Sequence, residues 1–494
     1  MVTLHGGFEF HIQPHWKGAE ALTRTQQRSL HMHCFIGDLL AAEWPKINPE
    51  YLAAAMSLIE DWCDRYQYPR DASTMAFHDE TTARRLGYWL RLYIALRGEN
   101  DSAAGKLWGK IDALFSVLCQ DDFYAGRNNH GMFQDLAILY FCCCTPDATD
   151  MQRKALGRLL DYFSAAVSAD GVHKEHSPAY HYLIADNMTR HVSLVKRLDP
   201  KSAEDLAALA TSMGRYGTSI VTPDGKYPPI GDTQPKAIPN DYFQAFGMEQ
   251  RLPERSAIFP DGGYAVLRDD PTKLERQTYV VLCASHHGDY HKHQDDLSVL
   301  LYADGWIICE SGPYGYDYAH PMSKHGYSSS AHSTLEIDEL APSMEPGLVG
   351  IVGSSESEDA TTVDAMNRRY PGLEHRRSVT LNRAQRQLQI VDTIHADQPR
   401  TMNLLWQLAP GIEPIREGRN IQLLRGGSEV ARMVVESDIP IAFALGHGNA
   451  APVGYAAPAG HVFPQMGMAE DTSVLRARSP RVASWNCRTI ISLT

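Results

Sequence analysis

The 494-residue sequence predicts an α+β multidomain protein, with a helical array first and an antiparallel β-sandwich after it. Three observations predict this. Apolar residues recur at helical spacing through roughly the first 220 residues. A stretch rich in Pro, Gly and Asp, PDGKYPPIGDTQPKAIPNDYF, then breaks the pattern. From FPDGGYAVLR onward, short alternating segments are separated by turn residues, as in an antiparallel sandwich. The expected division is a helical domain over 1–225, a connector over 226–258 and a β domain over 259–494.

In NPEYLAAAMSLIEDWCDRY, Asn48 is the expected N-cap and Pro49 the first helical residue. Leu52, Met56, Ile59 and Cys63 then follow helical spacing. Similar patterns occupy 20–42, 77–97, 103–119, 130–144, 151–168, 179–197 and 202–220. Their joints are short, which predicts helical hairpins, and no fixed-period repeat marks a common solenoid. In the second half, QTYVVLCAS, LSVLLYADGWIICE, HSTLEID, RRSVTLNR, RQLQIVDTI, VARMVVES and CRTIISLT read as strands.

A net charge of −13 argues against nucleic acid as a partner. The nine cysteines, three of them contiguous at 142–144, form neither a disulfide framework nor a C-x-x-C pair. Most are expected in the core. No apolar run is long enough to span a membrane, so no membrane partner is expected. The first residues lack the pattern of a secretory leader, which favours a cytoplasmic location, or a periplasmic or secreted one if a leader has been removed.

Four constellations could carry chemistry. In HHGDYHKHQDDLSVLLYADG, the alternation into Leu297, Val299 and Leu301 predicts a strand, with His291, His293 and Asp295 on one face. Asn128-Asn129-His130-Gly131 precedes a helix and could either cap it or bind a carboxylate at its positive end. Glu175-His176-Ser177-Pro178-Ala179-Tyr180-His181-Tyr182 opens another helix. Ser328 to Leu335 enters a strand, with Glu310 ending the strand before it. His293, Glu310 and His332 together would make a zinc site of two histidines and one carboxylate, with a position left over. Arg84 and Arg85 could meet a substrate carboxylate or pair with Glu80 or Asp79.

These blocks, in this order, resemble the heparinase II/III-like polysaccharide lyases, relatives of heparinase and of alginate and oligoalginate lyases. The resemblance runs from about Phe77 to about Gly411, through FHDETTARR, NNHGMFQDLA, EHSPAYH, FPDGGYAVLR, HKHQDDLS, ESGPYGY and SSSAHSTL. It implies an N-terminal α/α toroid and a C-terminal antiparallel β-sandwich. It also implies cleavage of a uronic-acid-containing polysaccharide or oligosaccharide by β-elimination. By the same resemblance, Asn129 and His130 neutralise the uronate carboxylate and a Tyr–His pair moves the protons. The Tyr is Tyr180 or Tyr182, and the His is His291. His293, Glu310 and His332 match a structural zinc site, Asp295 supports it, and another divalent ion could replace the zinc. Two positions depart from the family pattern: Glu310 stands where Asp is usual, and Ser333 where Asn is usual. Self-association into a homo-oligomer is left open. The competing expectations are a glycoside hydrolase using a pair among Asp79, Glu80 and Glu175, and a non-catalytic glycan-binding or assembly protein.

Overall fold

The computed structural model describes residues 2–494 apart from 5–7, 13–15, 43–47, 146–148, 250–252, 273–276 and 452–457. The chain forms two compact units, Met1–Ser164 and Ala165–Thr494. Compactness thus divides the chain before the change from helix to strand, and the helices beyond residue 165 belong with the sheets.

The first unit is helical. Its helices are Arg24–His31, Cys34–Ala41, Pro49–Arg65, Asp79–Leu96, Asp101–Leu118, Asn129–Cys142 and most of Thr149–Ala166. Asn48 caps its helix as expected, accepting from the Glu50 N–H at 2.9 Å ahead of Pro49. The single helix expected over 20–42 is instead broken at Met32–His33, where His33 takes a left-handed φ of 60°. The break buries His33 against Trp16 and lets its Nδ1 accept from Trp89 Nε1 at 3.1 Å. Helix Asn129–Cys142 is buried on nearly every side, as its all-round apolar sequence requires. Arg85 is buried too, donating to His31 O and Ala76 O over the Trp62 ring. It is therefore a core residue and takes neither of the two roles expected for it. Arg84 pairs with Glu80 at 3.5 Å across one helical turn.

In the second unit, helices Pro178–Leu198, Pro200–Ser212 and Gly214–Ile220 precede the strands. The one helix expected over 202–220 is divided at Met213. One layer of the sandwich is an eight-stranded antiparallel sheet. Its central strands, Leu373–Asn382, Gln387–Arg400 and Val482–Leu493, alternate buried and exposed residues. A four-stranded sheet and a five-stranded sheet, joined by a bridge between Ile308 and Leu408, face it across an apolar core.

The five-stranded sheet is covered on both sides. Ala265, Leu267, Val280 and Leu282 point into the sandwich. Their neighbours Tyr264, Val266, Tyr279 and Val281 pack on Tyr216 and Ile220 of helix Gly214–Ile220 and on Ile230 beyond it. This double burial explains why strands Tyr264–Arg268 and Thr278–Cys283 are apolar without alternation. Cys283 and Cys487 lie in these cores. Among the described residues, no helix is long and apolar enough to cross a membrane.

Candidate functional site

Residues 284–297, before strand Ser298–Ala303, do not form the expected strand. His291 and Leu297 both take left-handed backbone, with φ of 55° and 59°. A one-faced strand would send His291 and His293 to the same side as parallel neighbours. The turn instead brings both to one carboxylate, Asp232. His291 Nδ1 donates to Asp232 Oδ2 at 2.6 Å, and His293 Nε2 donates to Oδ1 at 3.0 Å. The Tyr327 hydroxyl donates to Oδ1 at 2.7 Å. Left-handed backbone costs a non-glycine residue about 1–2 kcal/mol, which three bonds to a buried carboxylate offset. Burial alone would raise the pKa of Asp232, but the hydrogen bonds from His291 and His293 hold it well below the usual carboxylate range.

Backbone packing fixes this arrangement. A Cβ on Gly231 would lie 2.4 Å from His176 O and 2.8 Å from His291 O, and its φ is 53°. Only glycine lets the three segments meet there. His176 Nδ1 donates to Tyr290 O at 3.0 Å, while its Nε2 accepts from the His287 N–H at 2.9 Å. Burial pushes the His176 pKa down to about 3, which keeps the ring neutral for this double role.

Tyr180 is held at the start of its helix, where Ser177 Oγ caps its N–H and contacts Thr233 Oγ1. Its ring stacks on His291, with centroids 3.8 Å apart and planes 23° from parallel. Tyr182 lies two residues further on, about 200° around the helix. It stacks on Tyr242 at 5.2 Å and reaches Asp241 at 3.4 Å. Of the two tyrosines left open by sequence, Tyr180 is the one that meets His291. Glu175 Oε2 lies 3.5 Å from His291 Nε2, and the Tyr316 hydroxyl lies 3.4 Å from that of Tyr180.

His293, Glu310 and His332 are all buried in this unit. His332 Nδ1 contacts Glu310 Oε2, and Ser298 Oγ donates to the same carboxylate. The His293 and His332 rings are 5.4 Å apart. His332 Nε2 donates to Gly326 O at 3.1 Å, as His293 Nε2 does to Asp232. His293 thus spends Nε2–H on an acceptor and keeps Nδ1 for another partner, the pattern of a metal-ligating histidine, whereas His332 Nδ1 is taken up by Glu310. His293 Nδ1 is buried with no hydrogen-bond partner among the described residues. The donor types are those of a zinc site, but among the described residues His293, Glu310 and His332 are not a group whose ligand atoms all lie within 4.8 Å of one another. Asp295 is paired with Lys292, and Arg377 anchors Leu297 O and Ser333 O beside the set.

In the first unit, Asn128 performs the capping, accepting from the Gly131 N–H at 3.0 Å, which leaves Asn129 as the first helical residue. His130 Nδ1 lies 3.0 Å from Asp79 Oδ1, and His78 Nδ1 lies 2.9 Å from the same oxygen. Burial would raise the Asp79 pKa, but the bonds from His130 and His78 bring it well below the usual range. Among the described residues, His78, Asp79 and His130 are the group whose ligand atoms lie within 4.8 Å of one another.

Asp232, Tyr316 and Tyr327 were not singled out by sequence. Asp232 sits in a Pro/Gly-rich connector, where an aspartate reads as a turn former. Tyr316 lies in the block ESGPYGY and Tyr327 just before SSSAHSTL, in stretches that carry no periodic signal of their own.

Comparison with known proteins places the chain in a family. The heparinase II/III N-terminus model matches residues 118–258, and the heparinase II/III-like C-terminal model matches 251–458. No curated protein matches in sequence. Among solved structures, the crystal structure of heparinase III matches with a TM-score of 0.79 at 16% identity, covering 96% of this chain and 78% of that one. Heparan sulfate lyase HepC from Pedobacter heparinus matches with a TM-score of 0.70 at 15% identity, covering 99% and 80%. The heparinase III-BT4657 gene product matches with a TM-score of 0.73 at 16% identity, covering 95% and 79%. At these identities the structural likeness is one of fold, and the fold is the expected helical toroid followed by an antiparallel β-sandwich. The protein is of the polysaccharide lyase class. It belongs to the heparinase II/III-like family.

Proposed function

We propose that the protein cleaves a uronic-acid-containing glycan by β-elimination, with Tyr180 and His291 as the proton-transfer pair. The observation that carries this reading is the Tyr180 ring stacked 3.8 Å from a His291 whose Nδ1–H is held by Asp232. With Nδ1 donating, His291 Nε2 carries the lone pair and can accept a proton.

β-Elimination takes the proton from C5 of the uronate and breaks the bond from C4 to the glycosidic oxygen. The C5–H electron pair becomes the C4–C5 double bond. His291 Nε2 receives the C5 proton, and the Tyr180 hydroxyl supplies a proton to the departing oxygen. Transfer from the imidazolium back to the phenolate then restores both groups. No water is consumed. The C5 proton is acidic enough only if the adjacent carboxylate is neutralised as the enediolate forms. Asn129 and His130 take that role by the family resemblance, the amide as a donor and the imidazole as a donor or cation.

Zinc held by His293, Glu310 and His332 would act as a fixed cross-link beneath the loop that carries His291. The pairing of His293 and His291 on one carboxylate supports this reading.

The test is incubation with a panel of uronate polymers and oligomers, monitored for the ultraviolet absorbance of an unsaturated uronate. Saturated products, or no products from folded protein across the panel, would overturn the proposal.

A further inference from the structure

In the helical unit, two helices begin side by side, one at Asp79 after His78 and one at Asn129-His130. Their first turns gather three atoms able to ligate a metal. His78 Nδ1 lies 2.9 Å and His130 Nδ1 lies 3.0 Å from Asp79 Oδ1, and the three atoms are all within 4.8 Å of one another. The two imidazole planes differ by 66° with centroids 5.4 Å apart, so the rings approach Asp79 from different directions. Ligands about 2.0–2.1 Å from a tetrahedral ion stand roughly 3.3 Å from one another. A central ion would therefore need only small shifts of these side chains.

Hydrogen bonding leaves the group incomplete. Asp79 Oδ1 faces both imidazoles and also takes the Glu80 N–H. His78 holds the cap position of its helix but makes no capping bond, whereas Asn128 caps the neighbouring helix. His78 Nδ1 is buried and approaches Asp79 off the line of a good hydrogen bond, with no other partner among the described residues. A buried nitrogen left so is costly unless something binds it. On the far side of the His130 ring, Nε2 faces Glu80 Oε2 at 3.7 Å, as the outer nitrogen of a ligating imidazole faces a carboxylate.

The group is also reachable. The side chains of His78, Asp79 and His130 are 17%, 27% and 28% exposed. Glu80 is already engaged by Arg28 at 2.9 Å and by Arg84 at 3.5 Å. Asp79 alone would leave a divalent ion with surplus positive charge, and two helix N-termini add to it. That surplus favours an anion in the open coordination position.

We infer that His78, Asp79 and His130 bind a divalent metal ion of the zinc class, whose open position takes an oxygen of the uronate carboxylate. The ion displaces the Nδ1 protons, and as a Lewis acid it shares in neutralising the carboxylate next to C5. The choice of carboxylate rests on the β-elimination reading, and the metal site does not.

The test strips full-length protein with a chelator, dialyses it against zinc chloride and counts bound zinc by elemental analysis. His78→Ala and Asp79→Asn should each hold one zinc fewer than the unaltered protein. Circular dichroism checks their fold, with His78→Gln as a further variant. Calorimetry on full-length Tyr180→Phe protein then measures binding of a panel of uronate oligomers. Adding His78→Ala to that protein should weaken the binding about tenfold or more, with zinc present throughout. Zinc held through His78 without cleavage of any uronate polymer upholds the site and sinks the elimination reading. Cleavage by unaltered protein, with equal zinc in His78→Ala and Asp79→Asn, upholds that reading and overturns the inference. Lost zinc with no weakening for any oligomer overturns the assignment of the open position to the carboxylate.

Discussion

His291 and Asp232 share a short hydrogen bond, 2.6 Å from Nδ1 to Oδ2, while the other oxygen of that carboxylate takes His293 at 3.0 Å. A single buried group thus sets the tautomer of one histidine and the orientation of another. An amide in its place has one acceptor and one donor, so it cannot satisfy both imidazoles. Asp232→Asn should lower kcat by about 10²-fold or more, with KM within roughly threefold, because the wrong tautomer removes the lone pair from Nε2. Steady-state kinetics check this, and a change confined to KM would contradict it.

The two tyrosines of the EHSPAYHY block should separate cleanly. Tyr180→Phe should cost about 10²–10⁴ in turnover, the range for losing a general acid. Tyr182→Phe loses only a 3.4 Å contact to Asp241 and should stay within about threefold. Similar losses in both would mean that the stacking of Tyr180 on His291 has no catalytic consequence.

Metal content should track the residues of the proposed zinc set. His293→Ala and His332→Ala should lower both bound zinc and melting temperature. His291→Ala should abolish turnover with zinc nearly unchanged. Elemental analysis after dialysis, alongside thermal melts, decides. Equal zinc loss from His291→Ala would sink this division of roles.

What the sequence made legible follows from how local each signal is. A helix cap such as Asn48 depends on neighbours in the chain and was readable, as was the helix start at Ser177-Pro178. The order of helices then strands was readable for the same reason. The shape of residues 291–295 was not. Their period of two suggested a strand, but the partners that bend them, Asp232 and Tyr327, lie 59 and 36 positions from His291 in the chain. Arg85 looked like a surface cation because sequence does not reveal that Trp62 and two carbonyls enclose it. Asp232 itself was hidden by its setting, since a turn and a hub use the same residue type.

Acid should destabilise each unit through a buried neutral histidine. His31 accepts from Trp62 Nε1 at 3.1 Å, and burial, then the nearby Arg85 charge, push its pKa down to about 3. His181 sits between the His173 N–H and Met213 O, and burial takes it to about 3 as well. An unfolded histidine titrates near ~6.5, so between there and about 3 the unfolded chain holds protons that the folded one does not. Stability is therefore full above pH ~6.5 and is lost as pH falls, by up to about 1.4 kcal/mol per pH unit for each such histidine. Denaturant titrations at several pH values, read by circular dichroism, should show that slope, and a flat profile would refute it.

Two glycine substitutions should move stability in opposite directions. Gly231→Ala forces a Cβ into two carbonyl oxygens and should cost about 1–3 kcal/mol together with activity. Gly105→Ala, in a helix with nothing within 4 Å of the new methyl, should gain about 0.5–1 kcal/mol. Chemical denaturation compares them.

The bonds that converge on Asp232 span 59, 61 and 95 positions of chain. Closing loops of that length carries an entropy cost that local helices and hairpins do not meet. The acid–base pair is therefore expected to take shape late in folding, after the helices and strands around it. In a refolding experiment, recovery of activity should lag recovery of circular dichroism, so that turnover is a sensor of completed assembly and a half-folded chain is chemically silent.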